Sequence, residues 1–104
     1  MQSIYDCQLT LVLPLELEDE LIDLLRSQPD VVSGYSLLPA EGFGANAELT
    51  SMIEQVRGRA GQRLVQVLLQ QPQVEPLLAA LRAGLPTPRI AWWLTPVLRC
   101  GSLA

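Results

Sequence analysis

The stretch Cys7-Gln8-Leu9-Thr10-Leu11-Val12-Leu13-Pro14 alternates with a period of two. Cys7, Leu9, Leu11 and Leu13 fall on one side, and Gln8, Thr10 and Val12 on the other. Successive side chains of an extended chain point to opposite faces, so the pattern predicts a strand with one face against a core. Pro14 lacks an N–H and is expected to end it. Arg63–Gln70 repeats the pattern, with Val65, Val67 and Leu69 on one face and Leu64, Gln66 and Leu68 on the other. Two strands with one fully apolar face each require a layer packed on that side.

That layer is legible on either side of these strands. Leu15–Ser27 places Leu17, Leu21, Leu24 and Leu25 at helical spacing. Glu16, Glu18, Asp19 and Glu20 crowd its start and Arg26 its end, which suits the helix dipole. Val74–Ala83 predicts a second helix with Val74, Leu77, Leu78 and Leu81 on one stripe. Pro76 is expected in its first turn, where a missing N–H costs nothing, and Gly84 as the residue just past its end. Val31–Leu38 is expected as a further strand, with Gly34 as a bulge and Pro39 closing it. Arg89–Thr95 is expected as the last strand, broken by Pro96. The order strand, helix, strand, strand, helix, strand predicts an α+β ferredoxin-like βαββαβ sandwich: a four-stranded antiparallel sheet with two helices on one face. Residues 1–104 are read as a single domain. The uncovered face would show Val12, Leu64, Leu68 and one tryptophan, an expected association surface. Of Trp92 and Trp93, one is expected in the core and the other at that interface.

Composition narrows the function classes. The net charge of -4 is uneven: residues 1–54 hold ten of eleven acids and one base, Arg26, whereas residues 55–104 hold Glu75 and six arginines. Lysine and histidine are both absent. The acidity argues against nucleic acid as a partner. Without histidine the commonest general base and metal ligand is missing. No nucleophile motif or matched acid pair stands out, so the chain is read as no enzyme, with no cofactor. With no leader-like start and only two cysteines, a reducing cytoplasm is the expected location.

The connection between strands two and three is the anomaly. Hairpin loops usually have about two to five residues, but Pro39 to Gln62 spans 24. It opens with Gly42-Phe43-Gly44, an aromatic side chain between glycines, and closes with Arg57-Gly58-Arg59-Ala60-Gly61-Gln62-Arg63. Glycines free backbone amides to face an anion, and Arg57, Arg59 and Arg63 supply charge. Two readings stay open: a site for an acidic partner or anionic effector, or arginines paired internally with the acidic half. At the opposite end of the sheet, antiparallel pairing of strands one and four would bring Cys7, beside Asp6, towards Cys100. A thiolate pair suits soft metal ions. Two ligands do not complete a tetrahedral site.

These features, with Ser33-Gly34-Tyr35, Glu54-Gln55-Val56-Arg57-Gly58-Arg59 and the ending Trp92-Trp93-Leu94-Thr95-Pro96-Val97-Leu98-Arg99-Cys100-Gly101-Ser102-Leu103, resemble the DUF3240 family of PII-like proteins. The resemblance implies a homotrimer and a regulatory adaptor that acts on a partner protein through the long loop, the T-loop of PII signalling proteins. The implied partner is a heavy-metal efflux transporter of the resistance-nodulation-division class, and the effector a small molecule or a metal. The runner-up is a direct metal-binding, CutA-like protein of a resistance system. The sequence departs from PII proteins between the second helix and the last strand. Gly84-Leu85-Pro86-Thr87-Pro88 carries no base there, and two prolines stiffen it.

Overall fold

The computed structural model describes residues 4–41 and 61–104. The elements are β1 (Cys7–Pro14), a 3-10 turn (Leu15–Leu17), α1 (Glu18–Arg26), β2 (Ser36–Glu41), β3 (Gly61–Leu69), α2 (Gln71–Gly84) and β4 (Ala91–Pro96). The four strands form one sheet in the order β2-β3-β1-β4, and every neighbouring pair is antiparallel. This is the predicted sandwich.

The register shows why β1 organises it. Leu9 lies opposite Val67 and Leu94, and Leu11 opposite Val65 and Trp92. Cys7, Leu9, Leu11 and Leu13 are all buried with Val65, Val67 and Leu69 in one cluster. Leu21 and Leu25 of α1, and Val74, Leu77, Leu78 and Leu81 of α2, complete that cluster. Both helices therefore cover the same face. Burying each such side chain stabilises the fold by about 1.5–3 kcal/mol.

Several boundaries differ from expectation, each for a local reason. The first helix opens as a 3-10 turn before α1 begins at Glu18. Residues 31–35 are irregular, with a turn at Val31 and a bend at Ser33, so Gly34 precedes β2 instead of bulging within it. Pro39 does not close β2 but sits inside it, opposite Arg63. It is tolerated because β2 is an edge strand, whose outward N–H has no ladder partner to lose.

The second helix begins earlier than predicted. Gln70 caps it, its own N–H donating to Gln73 Oε1 at 2.9 Å, in a reciprocal capping box. The Gln71 N–H donates to Asp6 Oδ1 at 2.9 Å, which places a carboxylate at the positive end of the helix. Pro72 occupies the first turn, and Pro76 lies inside the helix. Pro76 therefore removes one bond, the one its N–H would have made to the carbonyl of Pro72.

Gly84 is the last helical residue, not the residue beyond it. Its role is close approach: a Cβ there would overlap Leu24 Cδ2 and lie 3.0 Å from Leu24 Cδ1. Gly84→Ala is expected to lower stability by about 1–3 kcal/mol, because crowding of Leu24 outweighs the gain in helix propensity. Urea unfolding of the two proteins checks this, and an unchanged or raised midpoint would refute the close packing.

Candidate functional site

The sheet face turned away from the helices is built from the alternate residues. Leu38, Leu64, Val12 and Ala91 lie side by side across all four strands. The next row is Ser36, Gln66, Thr10 and Trp93, and beyond it lie Leu68, Gln8 and Thr95. Val12, Leu64 and Leu68 are half-buried, while Leu38 is 40% and Trp93 46% exposed. Thr10 is only 2% exposed although it lies on this face, flanked by the larger Gln66 and Trp93. An apolar row bordered by an exposed indole is the composition of an association surface. Alternation alone does not reveal Leu38, because β2 begins only at Ser36 and continues through Pro39.

The tryptophans divide by face as alternation requires, but neither is core. Trp92 shares the helix side with Leu11, yet it is 42% exposed. β4 is an edge strand, and α1 and α2 do not reach far enough to close over it.

Of the loop residues singled out, Gly42, Phe43, Gly44, Arg57, Gly58 and Arg59 lie outside the described residues. Arg63 lies at the start of β3 and is committed inward. Its Nε donates to Glu18 Oε1 at 2.8 Å, with both side chains roughly one-third exposed. Arg89, before β4, pairs with Glu16. Glu16 in the 3-10 turn and Glu18 at the start of α1 thus tie down two arginines of the basic half.

At the other end of the sheet, the antiparallel pairing of β1 and β4 continues past Pro96. The Val97 N–H donates to the Asp6 carbonyl at 3.0 Å. The tail so directed brings Cys100 Sγ to 3.9 Å from the Tyr5 carbonyl oxygen. Cys7 is on the helix side, 1% exposed, its thiol donating to the Leu69 carbonyl at 3.4 Å. Cys7 is in no disulfide. Burial pushes the Cys7 thiol above its ordinary pKa, and the neighbouring Asp6 adds to the shift. Asp6 is meanwhile engaged in capping α2. Among the described residues no group of three or more histidine, cysteine or acidic side chains is placed to hold a metal ion. Nor is any helix among them long and apolar enough to cross a membrane.

Comparison with solved structures places this sheet and its two helices in the PII-like class of ferredoxin-like folds. CPII from Thiomonas intermedia, a nitrogen regulatory PII-like protein solved with ADP, AMP and bicarbonate, superposes with a TM-score of 0.66 at 16% identity, over 88% of this chain and 89% of that one. A DUF3240 family protein from Shewanella baltica superposes with a TM-score of 0.76 at 21% identity, covering 96% and 98% of the two chains. The DUF3240 profile, described as a protein of unknown function, matches residues 4–104, and the chain belongs to this family. A search of curated proteins gave no significant match.

The two thiols are expected to react differently. A maleimide should label Cys100 in the folded protein and Cys7 only after denaturation, since a buried neutral thiol is a poor nucleophile. Labelling of Cys7 as fast as Cys100, read by mass spectrometry, would contradict its burial. The raised pKa also has a sign. The folded state favours the neutral thiol, so this contribution to stability is complete below the unfolded thiol pKa and is lost as pH rises through the folded one. Cys7→Ala should flatten that alkaline decline.

Proposed function

We propose that this chain is a non-catalytic, cytoplasmic PII-like regulatory adaptor. It closes into a homotrimer through the uncovered sheet faces and engages a protein partner through the connection between β2 and β3. The observation that carries this reading is the apolar row Leu38–Leu64–Val12–Ala91, with Trp93 beside it, on the face that neither helix covers. Membership of a PII-like family supports it. The partner we propose is a heavy-metal efflux transporter, following the resemblance of the sequence to proteins associated with such pumps.

CPII binds nucleotides and bicarbonate, which supports a small anionic effector in this class. For this chain the effector would be held differently from nucleotide on a basic glycine-rich loop. Its α2–β4 connection, Leu85 to Ile90, carries one cation, Arg89, which Glu16 already holds. The cations proposed for the partner or effector are Arg57 and Arg59, with Gly42, Phe43, Gly44 and Gly58 supplying the rest of the contact segment. Arg63 has a different task, because Glu18 already holds it.

These roles separate by mutation. Arg57→Ala with Arg59→Ala should weaken binding to the proposed transporter partner by about tenfold or more and leave the melting temperature unchanged. Arg63→Ala should instead cost about 0.5–1 kcal/mol of stability, the value of a partly exposed ion pair, with binding nearly intact. Unchanged affinity in the double variant, measured by calorimetry, would end the loop proposal. Leu64→Lys should leave the circular dichroism spectrum intact and yield monomers, since it puts a charge in the middle of the apolar row. A stable assembly of Leu64→Lys would refute this face as the interface.

A further inference from the structure

On the helix side of β4, the gap that exposes Trp92 continues inward as a cavity of about 110 Å³. Its buried walls include Leu11, Leu78 and Leu81, and its exposed boundary includes Trp92 and Arg82. Thr87 also lines it.

Three features bear on what it would hold. The size comes first. An apolar cavity of roughly 150 Å³ takes up a benzene molecule, so this one admits a somewhat smaller group, a chain of about four carbons. The charge comes second. Arg82 lies in the last turn of α2 and belongs to neither ion pair found among the described residues. A guanidinium offers paired donors that match a carboxylate. The third is a polar neighbour. Thr87 Oγ1 accepts from the Arg89 N–H at 3.1 Å, which leaves its hydroxyl hydrogen to donate. A half-open, mainly apolar recess with a cation and a hydroxyl at its edge is the general layout of a small-molecule site.

We propose that this cavity binds a small aliphatic monocarboxylate, with its alkyl chain against Leu11, Leu78 and Leu81 and its carboxylate on Arg82. The cavity lies on the opposite side of the sheet from the proposed trimer face, so the inference does not depend on that assembly.

The test uses pentanoate as the probe, with pentanol and pentylamine as controls, on the full chain. The readout is the indole N–H resonances of Trp92 and Trp93, assigned with Trp93→Phe. A ligand this small is expected to bind with millimolar affinity. Pentanoate should shift the Trp92 resonance saturably and leave that of Trp93 in place, and pentylamine should bind more weakly than either companion. Arg82→Gln, on an exposed helix surface, should weaken pentanoate about tenfold and leave pentanol unaffected. Leu85→Phe, which fills the cavity from its lining, should abolish the response to both. Absence of a saturable Trp92 shift would overturn the site, and it would identify the gap as imperfect packing only. Equal affinity of wild type and Arg82→Gln for pentanoate would overturn the carboxylate assignment.

Discussion

Two helices can cover only one face of a four-stranded sheet, and the remaining architecture follows from that limit. β1 meets it with its alternate residues. Cys7, Leu9, Leu11 and Leu13 go under the helices, while Thr10 and Val12 join the face that is left over. Because the side-chain period is two, the residues on that second face are fixed once the first is fixed. Leu38, Leu64, Val12 and Ala91 are therefore aligned by the same register that builds the core. Core formation and the alignment of an apolar row on the uncovered face follow from one register.

The charges are arranged around this frame. Residues 1–54 hold ten acids and residues 55–104 six arginines, and among the described residues two ion pairs join the halves. Glu18 holds Arg63 at the start of β3, and Glu16 holds Arg89 before β4. The first fastens the base of the β2–β3 connection to α1, and the second fastens the approach to the edge strand. Such pairs, partly exposed, add little to stability. Their value lies in orientation: they fix where the two connections leave the sheet. Asp6 does comparable work at the other end, joining the entry of β1 to the N-terminus of α2.

Much of this was legible in the residues, and the misreadings share a cause. Alternation in Cys7–Leu13 and in Arg63–Gln70 gave both central strands and their buried faces, because a strand with one buried face has no other way to be written. The helices were legible from their leucine spacing. The errors concern prolines and glycines, whose effect depends on neighbours. Pro39 reads in sequence as a strand end, but position at a sheet edge decides whether its missing N–H matters, and edge position is a property of the whole sheet. Pro76 was placed in a first turn, whereas the Gln70 and Asp6 caps start the helix at Gln71. Gly84 was read as a terminator, while its contact with Leu24 is long-range and invisible in spacing. For the candidate surface, Val12, Leu64 and Leu68 were identified from parity, and Leu38 was not. Arg63 was grouped with Arg57 and Arg59 because they are close in sequence. Its partner, Glu18, lies 45 residues away.

The central claim is that the uncovered face is where copies of this chain meet. Sedimentation equilibrium of the unmodified protein at micromolar concentration tests it most directly. The account predicts a single species with three times the chain mass of 11.4 kDa. A stable monomer across that concentration range would contradict it.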